Sequence, residues 1–193
     1  MRLDEIERGD SLGSRLLIGF ISLVTRMRLP DAARVAFYHK AFFAGTMGAW
    51  TQAAMRGPSA WSVGERELMA AMVAKWNATP FCVGAHGAIA AKELPRRLVD
   101  GALDDYRAAD LSSALKVVLG FLEKLTLHPD AVTAADARQV LDAGVTPAAI
   151  EDAMAVMTVF NIITRNAEAL DFAMPTPEEF DRAGTMLLKR GYA

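Results

Sequence analysis

The chain has one cysteine, three histidines and few aromatic residues, 8% of its 193 positions. A lone thiol excludes an intramolecular disulfide framework and a multi-cysteine zinc site. Scarce aromatics beside plentiful Ala, Leu and Met favour helix over sheet. Neither sign of charge dominates, since 21 Lys+Arg face 23 Asp+Glu for a formal net charge of −2. That balance gives no electrostatic footprint for nucleic acid or an anionic membrane. The apolar stretch at 16–24 is bracketed by Arg15 and Arg26, at about half the ~20 residues a bilayer span requires. Asp4, Glu5, Glu7 and Asp10 precede it, and no small-residue cleavage site follows, so it reads as a buried or oligomer-facing helix and not as a signal peptide. The expectation is a cytoplasmic protein. A phosphate-binding loop is also missing, because Gly84 and Gly87 fall inside a predicted helix with no strand before it.

What is present is an ordinary globular composition, 52% apolar and 23% charged, enough for a single domain over 1–193 with a sizeable core or for two small repeated halves. Hydrophobic periodicity predicts helices at about 11–28, 31–55, 63–77, 80–92, 95–100, 110–127, 133–143, 147–160, 162–172 and 176–190. Their punctuation is specific. Arg56-Gly57-Pro58 stops the helix at 31–55, Ser62-Val63-Gly64-Glu65 is a capping-box pattern opening the next, and Pro80 suits a first helical turn. The fold class expected is all-α. A faint internal echo accompanies it: Glu67 to Asn77 and Glu151 to Asn161 are each ten residues along an apolar helix. The echo implies a pseudo-repeat of helical hairpins, the second at 147–172.

Candidate chemistry gathers around the only sulfur. Cys82 lies in the first turn of the helix opened by Pro80, where unpaired backbone N–H groups favour a thiolate. His86 is one helical turn further on, on the same face, as a base for the thiol proton. Glu67 sits on the preceding antiparallel helix, as a carboxylate to orient the imidazole. The competing reading makes Cys82 a small core hydrophobe and His86 a satisfied structural group. One Cys, one His and one Glu without a further ligand cluster do not make a metal site. His39 is a further candidate for the same cavity or for packing. Trp50, Trp61 and Trp76 read as packing or oligomer anchors, and His128 as a helix cap. Arg165 reads as a partner of Glu67 or Glu168, or as a clamp for a substrate carboxylate.

The segment from Glu67 through Trp76-Asn77-Ala78-Thr79-Pro80-Phe81-Cys82 to His86 resembles the core of the AhpD-like alkylhydroperoxidase / carboxymuconolactone decarboxylase family. That core carries a glutamate on one helix and Asn-x-Cys-x-x-Cys-x-x-x-His opening the next. Ser62, Glu65-Arg66-Glu67 and Phe160-Asn161-Ile162-Ile163-Thr164-Arg165 resemble the peroxidase-related branch. The resemblance implies an AhpD-like helical bundle with its core motif at 62–93. It assigns the peroxide-attacking thiol to Cys82, the proton-relay base to His86 and the relay carboxylate to Glu67.

One departure matters. Thr79 stands where the family has the first cysteine, so the dithiol–disulfide cycle has no resolving partner. Three outcomes follow from the resemblance. Cys82 reduces small hydrophobic hydroperoxides with an external thiol as reductant. Alternatively, His86 and Glu67 perform decarboxylase-like proton transfer on an organic acid or lactone, or the site is a degenerate remnant on an oligomeric scaffold. The expected pocket is apolar, lined by Thr79, Phe81, Trp76, Met72 and His39 with Phe160 nearby. Neither chemistry requires a metal or organic cofactor. Self-association to a homo-oligomer is expected from the apolar helix surface of the first fifty residues and from the resemblance.

Overall fold

The computed structural model describes residues 1–38 and 40–192, so His39 lies outside the described residues. Among those described there is no strand, and eleven α-helices make up the all-α fold. They are α1 (Asp4–Arg8), α2 (Leu12–Thr25), α3 (Asp31–Tyr38), α4 (Gly48–Arg56), α5 (Val63–Trp76) and α6 (Pro80–Glu93), then α7 (Arg96–Asp105), α8 (Ser113–Leu127), α9 (Ala134–Asp142), α10 (Pro147–Leu170) and α11 (Pro177–Arg190).

The centre is α5, which is buried on every side from Gly64 to Ala74 apart from Glu65, the signature of a helix wrapped by others. It packs antiparallel to α6 and lies against α8 and α10. Leu68, Met69 and Val73 meet Val118, Leu119, Leu122, Val156, Val159 and Phe160 in one continuous core. Its start follows the sequence: Ser62 Oγ accepts the Glu65 N–H and Glu65 Oε2 accepts the Ser62 N–H, which satisfies two otherwise orphaned donors. Its end is a tight turn through Ala78, held in the left-handed region at φ +53°. A non-glycine residue there costs on the order of 1 kcal/mol. The turn is tied down by Asn77, whose Nδ2 donates to Asn161 Oδ1 and Thr164 Oγ1, both at 3.0 Å.

Two expectations are corrected. The predicted helices 147–160 and 162–172 are the single 24-residue α10, so the second hairpin does not form. Asn161 does not end a helix: α10 runs through it, and its side-chain Nδ2 donates to the Met157 carbonyl at 3.1 Å. The two asparagines of the supposed echo instead bond to one another. The predicted helix 31–55 is also divided: between α3 and α4 the chain widens into π-helical turns over Lys40–Met47. The helix before it ends at Thr25, where Arg26 takes a left-handed φ of +51°. By length and hydropathy, α10 is long and apolar enough to cross a membrane, yet Val156, Val159 and Phe160 on it are completely buried in the core.

Helix α2 is turned inside out. Ser14 and Ile18 are its buried residues, while Leu12, Leu16, Phe20, Leu23 and Val24 are each well over half exposed. By contrast α11 is closely fitted. It packs on α6, and a Cβ at Gly84 would lie 2.6 Å from the Phe180 ring. Gly84→Ala is therefore expected to destabilise the protein by about 1–3 kcal/mol through overpacking. Gly13→Ala in α2, where a Cβ meets nothing within 4 Å, should gain up to ~1 kcal/mol from helix propensity. Urea unfolding of the two variants beside the parent checks the pair.

Candidate active site

The α5–α6 hairpin places Glu67 opposite His86, as the sequence predicts. Glu67 is completely buried and His86 is 7% exposed. Their contact is direct: His86 Nδ1 lies 2.7 Å from Glu67 Oε2. A carboxylate is an acceptor, so Nδ1 carries the proton and donates; in the neutral ring the free lone pair is then on Nε2. The second carboxylate oxygen is engaged from two other directions. Arg56, in the last turn of α4, donates from Nη2 to Oε1 at 2.7 Å. Tyr192, after α11, donates its hydroxyl to the same oxygen at 2.8 Å. The Phe160 ring from α10 stands edge-on to the imidazole, centroids 4.4 Å apart.

These partners decide the charge of Glu67. Burial pushes its pKa up, but the hydrogen bond and charge of His86, then those of Arg56, pull it further down, so it lies below the ordinary value of 4.5. The carboxylate is ionised at neutral pH and compensated by groups aimed at it. Burial and the charge of Glu67 push the Tyr192 hydroxyl well above its usual range, keeping it a donor.

The sulfur behaves differently. Cys82 is 2% exposed and packs with Phe81, Phe180, Ala74 and Ala167. Its pKa is pushed up to about 12, first by burial and then by the negative charge of Glu168. The thiolate fraction at pH 7 is then on the order of 10⁻⁵. Burial in this apolar cluster opposes the thiolate that the first-turn position favours. Among the described residues no hydrogen bond joins Cys82 to His86, whose Nδ1 is occupied by Glu67.

The expected pocket residues scatter. Phe81 borders Cys82 and forms edge contacts with Phe172 and Phe180 at 5.1 and 5.9 Å. Thr79 is fully buried, and its hydroxyl donates to the Asn77 carbonyl at 3.3 Å. Met72 is sealed in the main core. Trp76 sits about 13 Å along α5 from Glu67 by helical rise, against Tyr106 at 6.1 Å. Arg165 donates to Asn161 and not to Glu67. Trp61 does anchor packing, its Nε1 donating to the Ala149 carbonyl at 2.7 Å. Cavities of about 330 and 520 Å³ lie elsewhere, one along α8 and α9 and one between α2 and α3.

Sequence reasoning missed Arg56 and Tyr192. Arg56 was visible only as part of a helix stop, and Tyr192 lies 125 residues from its partner, with no local pattern to flag either.

No protein-family model matches the sequence, and no curated protein matches it. Solved structures do resemble it. The crystal structure of an uncharacterized peroxidase-related protein from Silicibacter sp. TM1040 matches with a TM-score of 0.77, at 24% identity over 93% of both chains. That of an alkylhydroperoxidase AhpD core, an uncharacterized peroxidase-related protein from Ralstonia eutropha JMP134, matches with a TM-score of 0.72, at 24% identity over 89% of both chains. At this identity the likeness is one of architecture: the chain has the all-α, AhpD-like fold found in peroxidase-related proteins.

Proposed function

We propose that the chain is an AhpD-like enzyme whose Glu67–His86 pair moves a proton on a small apolar organic acid or lactone. The observation that carries this reading is the 2.7 Å contact between a fully buried, ionised carboxylate and the imidazole Nδ1. In that arrangement Nε2 is the base. It takes a proton from the substrate, and Glu67 stabilises the imidazolium that results before the proton is returned. Arg56 and Tyr192 hold the carboxylate in place. No step requires the sulfur.

The peroxidase-related description of the structural neighbours favours a second reading. Here Cys82, as thiolate, attacks the terminal oxygen of an organic hydroperoxide; the O–O bond breaks, the alcohol leaves with a proton supplied from His86, and the sulfur becomes a sulfenic acid. An external thiol then reduces it in two steps, through a mixed disulfide, with loss of water. This route needs Cys82 uncovered from Phe81 and Phe180. The outward apolar face of α2 supports self-association under either reading.

A panel of lactones, organic acids and hydroperoxides separates the two. Under the proton-transfer reading Cys82→Ser turns over a lactone or acid within about twofold of the parent, while His86→Gln and Glu67→Gln lose about 10²-fold or more. The native thiol should also react with an alkylating probe more slowly than a model thiol. Hydroperoxide turnover that disappears in Cys82→Ser, with no effect on any acid or lactone, overturns the first reading and establishes the second.

A further inference from the structure

Two groups converge on Glu67 Oε1 that the acid–base pair does not itself require, and the one from further along the chain is Tyr192. We infer that Tyr192 is a positioning residue of this site: its hydroxyl fixes Glu67 Oε1, so that Oε2 stays turned to His86 Nδ1. This rests on the reading of Glu67 and His86 as the working pair.

The placement is built, not incidental. Gly191 turns the chain out of α11 at φ +75°, a conformation that favours glycine. A Cβ there would lie 2.3 Å from Gln52 Oε1. That same oxygen accepts the Tyr192 backbone N–H at 2.7 Å, so a side chain at 191 would push aside the Gln52 amide that grips the backbone. The tyrosine carbonyl comes close to Gly48, where a Cβ would stand 3.2 Å away. On the far side the guanidinium of Arg56 sits 4.9 Å over the tyrosine ring, and the ring lies near-parallel to the imidazole of His86, centroids 6.3 Å apart. The hydroxyl is thus held from backbone, face and tip.

The consequence follows from counting donors on one oxygen. Oε1 takes Arg56 Nη2 and the Tyr192 hydroxyl at 2.7 and 2.8 Å, and with both in place the carboxylate plane is set. Without the phenol, Oε1 keeps one donor, and the carboxylate is held only by Arg56 and by the His86 it must orient. Loss of the phenol oxygen leaves a buried acceptor short of a donor and admits water beside the His86 N–H. The charged and titratable groups around the imidazole are Glu67 from α5, Arg56 from α4 and Tyr192 itself, with the uncharged Phe160 from α10.

The test reads the imidazole directly, with no substrate. In ¹⁵N-labelled full-length protein, long-range ring spectra report the tautomer of His86, and the Nδ1–H signal reports exchange with water; His86→Gln assigns the resonances. Tyr192→Phe keeps the ring and removes one oxygen. It is expected to speed Nδ1–H exchange about tenfold or more, with an unfolding temperature close to that of the parent. Gly191→Ala keeps the oxygen and displaces it, and is expected to reproduce the acceleration. Unchanged exchange in Tyr192→Phe overturns the positioning role. Native exchange in Gly191→Ala overturns the claim that the glycine turn delivers the hydroxyl. Both results are independent of whether a lactone, an acid or a hydroperoxide is turned over, so a failed substrate panel and a failed Tyr192 assignment remain distinguishable.

Discussion

Glu67→Gln is expected to destabilise the protein by about 3–5 kcal/mol at pH 7, the cost of removing one partner from a buried ion pair. The substitution preserves shape but strips the charge that compensates Arg56, whose side chain is only 11% exposed, and it turns one acceptor oxygen into an amide donor facing existing donors. The carboxylate accepts from His86, Arg56 and Tyr192 together, so the loss is a network loss. Replacing Arg56 as well separates the two contributions. The double variant Arg56→Met/Glu67→Gln leaves no uncompensated charge, and it should recover part of the deficit relative to the sum of the single variants. Urea unfolding with the four proteins of this cycle measures the coupling directly. A cost below about 1 kcal/mol for Glu67→Gln would show that the network is not structurally coupled.

The pH dependence has a definite sign. The pKa of Glu67 in the folded protein lies below its ordinary value of 4.5, so the unfolded chain binds its proton more readily. The associated stability is present above about 4.5 and is lost as pH falls through the folded value. The glutamine variant lacks this dependence. Its deficit relative to the parent should therefore narrow on acidification below about pH 4.5, as followed by unfolding at stepped pH.

Much of this site was legible because its central pair is local. Glu67 and His86 occupy the facing sides of one helical hairpin whose ends are marked by Ser62, Glu65 and Pro80, and those caps fix the register. The all-α class and most helix positions were legible too. The pattern was misleading at Asn161, which looks like a helix end although α10 runs through it with the side chain bonded to the Met157 carbonyl and to Asn77. For Cys82 the sequence shows only part of the setting. Its position in the first turn is readable, whereas the Phe81, Phe180 and Ala167 packing that desolvates it depends on α10 and α11. Arg56 and Tyr192 were invisible because nothing local connects the end of α4, or a tyrosine after α11, to a carboxylate on α5. Long-range closure by a single hydroxyl has no periodic signature.

Phe160→Ala tests the apolar half of the same site and is expected to cost about 3–5 kcal/mol. Phe160 is completely buried and ranks among the largest such side chains in the protein, and it joins two jobs that the sequence does not distinguish. On one side it fills the core between α10 and α5 with Leu68, Met69 and Val159. On the other its ring stands at 79° to the imidazole of His86, 4.4 Å between centroids, an edge-to-face contact worth about 0.5–1.5 kcal/mol beyond burial. Removing the ring opens a cavity against the imidazole, and the helix backbone cannot collapse into it while Thr164 Oγ1 donates to the Phe160 carbonyl at 2.6 Å and accepts from Asn77. Phe160→Leu retains much of the volume but not the aromatic edge, so it should recover most of the stability while leaving His86 less restrained. The two variants therefore separate under two measurements, urea unfolding for the packing and the exchange rate of the His86 ring proton for the restraint. Equal losses in both measurements for Leu and Ala would mean that the ring restrains His86 only through core volume.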